Sequence, residues 1–287
     1  MDYIINALAE KTIQIKIGTT KNLVNHALAI HRTTPVVTAA LGRLLTAAAI
    51  MGSLLKNETD LLTLSIRGDG ALKGLTATAD SRCRVKGYAF VNRVDLPLKN
   101  GKLDVKTALG KGILAVTKDI GLKEPVSGQV PLISGEIAED LTYYYAKSEQ
   151  IPTSVALGVL TDGLSVKQAG GFIIQLLPHT PEELTDRLEQ KLANIPPLTK
   201  MLSTKTPEEI LAFLFENHNI EILGKSFPKY YCNCNRNKTT KALMAIGEEE
   251  LSLILKEDGK ANIHCHFCVK DYGYTRKDIE KLLTREV

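Results

Sequence analysis

The sequence predicts an α+β fold in three parts, and three observations support this prediction. Strand-like runs and helix-start signals alternate through residues 1–178. Residues 179–228 contain two strong helix N-termini, each followed by an apolar stripe. Residues 229–287 have few large apolar side chains but contain four of the five cysteines. We therefore expect a large domain of mixed β-sheet and helices, a helical linker, and a small C-terminal domain that depends on its cysteines.

The first part alternates strands and helices. Polar and apolar residues alternate over residues 12–17, which predicts a half-buried strand. Thr34-Pro35 predicts the start of a helix whose apolar face continues to Leu55. Asp69-Gly70 between two strand-like runs predicts a hairpin turn. Further strands are predicted over residues 61–67, 75–79, 84–91, 112–118, 155–160 and 171–177, and a further helix over residues 135–146.

The middle part, residues 179–228, is predicted to be an amphipathic helical linker. Thr180-Pro181-Glu182-Glu183 and Thr206-Pro207-Glu208-Glu209 each combine a capping threonine, a proline in the first turn and a glutamate that can close a capping box. The apolar stripes that follow are too short to form a core alone, so they need a partner surface. The stripes contain Leu184, Leu188, Leu192 and Ile195 in the first helix, and Ile210, Leu211, Leu214 and Phe215 in the second.

The composition narrows the class of protein. The chain has 287 residues, of which 44% are hydrophobic and 24% charged. Its net charge of +4 is modest and does not by itself indicate a protein that binds nucleic acid. The most apolar run, residues 35–55, contains Arg43 and is predicted to be a buried helix instead of a membrane span. Since the N-terminus lacks the pattern of a signal peptide, we expect a cytoplasmic, reducing environment. In such an environment clustered cysteines indicate metal binding or redox sensing.

The spacing of the cysteines is the strongest functional signal in the sequence, and it indicates a metal site. Cys232 and Cys234 form a Cys-x-Cys pair, and Cys265 and Cys268 form a Cys-x-x-Cys pair thirty residues later. Four thiolates at ~2.3 Å from one ion in a tetrahedral array are a soft-metal site, with zinc the default occupant. The spacing leaves two interpretations open: a permanent structural zinc site, or a switch in which oxidation of the pairs removes the ligands and with them the stability of a small domain.

Other thiols and imidazoles are weaker candidates. His264 and His266 flank Cys265 and are possible metal ligands, but four cysteines already complete a shell. Cys83 lies between Arg82 and Arg84, whose charges can activate a thiol, although an isolated cysteine in a strand-like run is typically packed and inert. No motif in the sequence indicates a catalytic site, so we expect a protein that is not an enzyme.

Several segments together resemble one family over nearly the whole chain, the redox-regulated heat-shock chaperones of the thirty-three-kilodalton class (the HslO family). The most specific segments are Cys-Asn-Cys at 232–234 and Cys-His-Phe-Cys at 265–268, at the spacing of that family. The other matching segments are residues 134–140 leading into Tyr143-Tyr144, residues 148–152, residues 169–172 and residues 206–211.

The resemblance implies an ATP-independent holdase that is inactive while reduced and bound to one Zn²⁺. It implies that oxidation joins Cys232 to Cys234 and Cys265 to Cys268, releases the zinc, unfolds the C-terminal domain and frees the linker. It further implies that residues 1–178 bind unfolding client proteins, and that the oxidised form is a homodimer. Zinc ligands and redox-disulfide residues would then be the same four cysteines.

Two other classes remain open on the residues alone. A zinc ribbon that binds nucleic acid would need converging basic residues, and the tail is mixed, with Lys238 and Lys241 set against Glu248, Glu249 and Glu250. A thiol oxidoreductase would need one open, activated cysteine, whereas two pairs on one metal are closed in the reduced state. The mixed charge of the tail favours no nucleic-acid partner, and the buried character predicted for residues 35–55 favours no membrane partner.

Overall fold

The computed structural model describes residues 1–216 and 218–284, and the chain divides into two compact units, Met1–Tyr231 and Cys232–Val287. The elements of the first unit are β1 (Ile4–Ala9), β2 (Ile13–Thr19), α1 (Lys21–His31), α2 (Pro35–Gly52), β3 (Leu61–Gly68), β4 (Gly74–Asp80), β5 (Arg84–Ala89), α3 (Val105–Leu109), β6 (Gly112–Asp119), β7 (Val126–Pro131), α4 (Ala138–Tyr144), β8 (Thr153–Thr161), β9 (Val166–Leu176), α5 (Glu182–Ala193), α6 (Leu198–Thr204), α7 (Pro207–Leu214), β10 (Ile220–Ser226) and β11 (Lys229–Tyr230). Those of the second are α8 (Arg236–Met244), α9 (Glu248–Glu257), β12 (Ala261–His264), β13 (Asp271–Tyr274) and α10 (Arg276–Thr284).

Two sheets form the first unit. One has five antiparallel strands in the order β10-β1-β2-β9-β8, and the other has six in the order β11-β5-β4-β3-β6-β7. In the second sheet every pair is antiparallel except the short parallel pair of β11 with β5. The mixed architecture confirms the predicted α+β class.

Helix α2 is the centre of the main core. It contacts strands of both sheets, and nearly all of its residues from Val36 to Gly52 are buried. Within the described residues it is the one helix long and apolar enough to cross a membrane, but 89% of it is buried inside the protein, as in a core helix. Small residues, Ala and Gly, recur along α2 and let both sheets approach its backbone.

The outer face of the five-stranded sheet forms a second core with the helices of residues 179–228. Alternation along β2 directs Ile13, Ile15 and Ile17 to this face, where they pack with residues of α6 and α7. Leu184, Leu192 and Ile195 pack there as half-buried residues, as the leucine stripe predicts. The predicted amphipathic helices therefore find their partner surface on this sheet.

The structure corrects three expectations for these segments. Helix α2 ends at Gly52, so Leu55 lies beyond it. Thr180 does not cap α5, because its hydroxyl donates to the carbonyls of Thr12 and Leu177 instead. Residues 179–228 are not helical throughout, since β10 completes the edge of the five-stranded sheet. The separation of these residues as a linker that detaches from residues 1–178 stays a prediction.

The described part of the C-terminal unit consists of three helices and one hairpin. Helices α8 and α9 precede the hairpin of β12 and β13, whose turn carries Cys265 and Cys268, and α10 begins at Arg276. The buried core of this unit consists of five residues within its described part: Leu243, Leu251, Tyr274, Ile279 and Leu282. So small a core indicates that the unit needs another source of stability.

Candidate metal centre

Two segments of the second unit position the four clustered cysteines. Cys232 and Cys234 lie on an extended segment immediately before α8, whose first turn is capped by the Asn235 side chain accepting from the Lys238 amide at 2.9 Å. Cys265 and Cys268 lie in the turn between β12 and β13. That turn is closed by backbone hydrogen bonds from Cys265 to Lys270 at 2.9 Å and from Val269 to Cys265 at 2.8 Å.

The fold brings all four sulfurs together. The Sγ atoms of Cys232, Cys234, Cys265 and Cys268 all lie within 4.8 Å of one another. The Sγ atoms of Cys232 and Cys265 are 3.7 Å apart, and those of Cys234 and Cys268 are 3.2 Å apart. A tetrahedral site with bonds of ~2.3 Å separates its sulfurs by about 3.8 Å. The donor set and spacing therefore fit one soft metal ion.

The pKa values of the clustered thiols shift in different directions. Burial opposes ionisation of Cys234, but hydrogen bonds from Tyr272 and Cys268 outweigh it and lower the pKa of Cys234 to about 7. Burial and the hydrogen bond to Cys234 raise the pKa of Cys268, and burial raises that of Cys232. One thiol is thus poised to become a thiolate near neutral pH, which is the form that binds metal.

Tyr272 is a site residue that the cysteine spacing does not reveal. Its hydroxyl lies 3.1 Å from the Cys234 sulfur, and this hydrogen bond, together with burial, raises the pKa of Tyr272 to about 12. The tyrosine therefore stays protonated and able to donate to the sulfur. Its position four residues after Cys268, on the strand leaving the turn, is the signal from which it could have been found.

The weaker candidates lie outside the cluster. The His264 Nδ1 donates to the Asp271 carboxylate at 2.8 Å, and the His266 ring packs edge-on against the His264 ring. Within the described residues the group close enough to share a metal contains the four cysteines and no histidine. Cys83 is fully buried in the first unit, and burial raises the pKa of its thiol, as expected for a packed cysteine.

Comparisons with known proteins match nearly the whole chain to one family. The model of the family described as "Hsp33 protein" matches residues 2–275. A "33 kDa chaperonin" from Clostridium perfringens is 51% identical over 98% of this chain and 91% of its own length, and one from Agathobacter rectalis is 48% identical over 98% and 99%. A crystal structure titled 33 kDa chaperonin, a heat shock protein 33 homologue from Thermotoga maritima, is similar with a TM-score of 0.90 and 35% identity, covering 99% of this chain and 98% of that one.

Proposed function

Because the chain belongs to the Hsp33 protein family, and is therefore a chaperone, we propose that oxidation of its clustered cysteines controls when it binds unfolding proteins. The observation that carries this proposal is the convergence of Cys232, Cys234, Cys265 and Cys268 within 4.8 Å. As a holdase, the protein would bind clients without hydrolysing ATP and would have no catalytic residues.

In the reduced form the four cysteines would hold one Zn²⁺ per chain. Bound zinc keeps sulfur ligands as thiolates and joins the segments that supply them. Cys232 and Cys234 precede α8, while Cys265 and Cys268 lie in the β12–β13 turn, so the ligands tie the start of the unit to its hairpin. The five-residue core gives the unit little other stability.

Oxidation would consume these ligands in pairs. In each pair, two thiolates give two electrons to one molecule of hydrogen peroxide, so that an S–S bond forms and the O–O bond breaks. The two peroxide oxygens take up two protons from solvent and leave as two waters. The products are Cys232–Cys234 and Cys265–Cys268, and no thiolate then remains to hold a metal. Each disulfide joins two cysteines of the same segment, so neither replaces the link that the metal would form between the two segments.

Disulfide mapping tests this pairing sharply, because close sulfur–sulfur contacts also run between the two segments, from Cys232 to Cys265 at 3.7 Å and from Cys234 to Cys268 at 3.2 Å. Cross-links between those residues would keep the two segments together and would preserve the fold. Peptide mass spectrometry after peroxide treatment should find the local pairs. A majority of cross-linked pairs would contradict unfolding by oxidation.

Release of residues 179–228 would expose a client-binding surface. Of the twelve residues of α5, all within the described chain, Leu188 alone is buried. A cleft of about 240 Å³ lies beside α5 and the end of α7, with leucines and Phe215 among its apolar lining residues and Arg187, Lys191 and Glu216 among its charged ones. This loose packing indicates helices of low local stability. Beneath them lies an apolar face that includes Ile15, Ile17 and Phe172, which is the kind of surface that binds unfolding proteins.

We further propose that the oxidised chain is a homodimer, that the protein works in the cytoplasm, and that it uses neither nucleic acid nor membrane as a partner. The modest net charge of +4 supports the absence of a nucleic-acid role. A reducing compartment keeps free thiols available for a stress signal, which supports the cytoplasmic location.

A combined zinc and aggregation assay tests the proposal. The reduced protein should contain one zinc and leave a heat-denatured client to aggregate; peroxide at elevated temperature should release the zinc and suppress the aggregation. A Cys265→Ser/Cys268→Ser variant should lose both tight zinc binding and oxidation-dependent control, whereas Cys83→Ala, outside the cluster, should retain them. Full zinc affinity and normal gating in the double variant would refute the assigned switch.

A further inference from the structure

We propose that Tyr272 is a positioning residue of the metal centre, whose hydroxyl holds the Cys234 sulfur and protects it from electrophiles. The inference rests on the zinc site of the proposed function and goes beyond it, because it assigns a role to a residue that is not a metal ligand. The Tyr272 hydroxyl binds the Cys234 sulfur, and this hydrogen bond retains the metal and slows attack on Cys234.

The hydrogen bond joins the two cysteine segments. The Tyr272 hydroxyl lies on β13, four residues after Cys268, and reaches the Cys234 sulfur of the other segment at 3.1 Å. The ring is half-buried against the small core of the unit, and in the hairpin Tyr272 pairs with Ile263. Packing and strand pairing thus fix the ring, so the hydroxyl is directed at the sulfur without a further loss of side-chain freedom.

The direction of the bond follows from the groups involved. A thiolate has no proton to give, so the hydroxyl donates and the sulfur accepts. Such a bond to a charged acceptor is stronger than a neutral one, and outer groups of this kind orient metal ligands and tune them. The bond also draws charge from the sulfur, and a less basic thiolate is a weaker nucleophile. The orientation of the sulfur favours retention of the metal, and its reduced charge protects Cys234, so one hydrogen bond has both effects.

The chain provides a matched control on the same strand. Tyr274 is two residues along β13, and its hydroxyl lies 2.7 Å from the Thr239 hydroxyl and 3.1 Å from that of Thr240. Tyr274→Phe therefore removes the same atom from the same strand without removing a bond to a sulfur. Tyr272→Phe keeps the ring in place and removes the donor to Cys234.

The first measurement is made on the full-length reduced protein with zinc. In competition with a chelating dye, Tyr272→Phe should bind zinc about tenfold more weakly, the lower end of the effect of losing an outer-sphere partner. Iodoacetamide should alkylate Cys234 about threefold faster in this variant. Mass spectrometry of the zinc-loaded protein measures the rate of alkylation at each cysteine. A general loosening of the unit would accelerate all four cysteines together.

The second measurement separates the hydrogen bond from folding. With cobalt(II) in place of zinc, loss of a donor to sulfur should move the sulfur-to-cobalt charge-transfer band of Tyr272→Phe to lower energy. Tyr274→Phe can weaken binding by loosening the core, but should leave that band unchanged. Ring-fluorinated tyrosine at position 272, used at a pH where its hydroxyl keeps the proton, is a stronger donor in an unaltered fold and should move the band to higher energy.

The outcomes distinguish this inference from the proposed function. If the unaltered protein holds neither zinc nor cobalt, the metal site and the role of Tyr272 fail together. If it holds the metal, but neither substitution at 272 moves the band and Cys234 is alkylated at the same rate in Tyr272→Phe, the role of Tyr272 alone is refuted. Shifts of opposite sign at 272, with none in Tyr274→Phe, establish the role.

Discussion

At the scale of single residues, one buried carboxylate organises the turn that leads into α4. Asp140 is fully buried and accepts the backbone amides of Ile133 at 2.8 Å, Ser134 at 2.9 Å and Ile137 at 2.9 Å. These bonds hold Ile137 at a φ of +70°, a backbone conformation that a β-branched residue rarely adopts. Asp140 therefore stabilises a turn that the local sequence does not favour.

We expect Asp140→Ala to lower the free energy of unfolding by about 3 kcal/mol, because it leaves the buried amides of Gly135 and Ile137 and two half-buried amides without their acceptor. Urea titration followed by circular dichroism on the reduced, zinc-loaded protein measures the change. Glu139→Ala is the matched control, since that neighbouring carboxylate is exposed and should change stability by less than about 0.5 kcal/mol. Equal effects of the two substitutions would contradict this role of Asp140.

At the residue scale, the sequence reveals groups whose members are close together in the chain. The two short cysteine pairs could be recognised because their spacing alone indicates a metal site, and the fold brings all four sulfurs together. Asp140 and Tyr272 could not be recognised in this way. Each acts through hydrogen bonds whose geometry exists only after a turn or a hairpin has formed.

At the scale of elements, capping explains which helices could be predicted. The capping box of α7 is present as predicted: the Thr206 hydroxyl accepts the Glu209 amide at 3.3 Å, and the Glu209 carboxylate accepts the Thr206 amide at 2.7 Å. Helix α1 was missed because its cap is distant in sequence. The Asp2 carboxylate accepts the amides of Asn22 and Leu23 at 3.1 and 2.7 Å.

Strand β10 was missed for a different reason. It is an edge strand whose residues are mostly exposed, including Ile222 and Leu223, which are each 50% exposed. Its sequence therefore lacks the alternation by which a half-buried strand is recognised. Its place in the fold depends on pairing with β1, more than 200 residues earlier in the chain.

We expect Thr206→Ala to destabilise α7 by about 1 kcal/mol, because one side of its capping box is lost. Hydrogen exchange of the reduced protein should show faster exchange across Pro207–Leu214, with little change in α2. The oxidised variant should suppress client aggregation at a lower temperature if release of this helix limits activation. Ser203→Ala, at an exposed hydroxyl that bonds within α6, is the control and should leave both readouts unchanged.

At the scale of the whole molecule, the two units are stabilised by different means. The first unit has two extensive cores around α2 and beneath α5, α6 and α7. The second has five buried apolar residues and a four-sulfur cluster in its described part. A metal site contributes on the order of 10 kcal/mol to folding in domains of this size. Loss of the metal should therefore unfold the second unit, whereas the core around α2 in the first unit should keep its fold.

Removal of the metal under reducing conditions tests this difference directly. We expect a strong chelator to abolish hydrogen-exchange protection across residues 232–284, because no other interaction of comparable strength holds that unit, while β2 and β9 of the first unit keep theirs. Added zinc should restore protection, and a Cys232→Ser/Cys234→Ser variant should match the chelated protein without any chelator. Protection of residues 232–284 that survives complete removal of zinc would show that apolar packing alone folds this unit, and oxidation would then need another way to reach the client-binding surface.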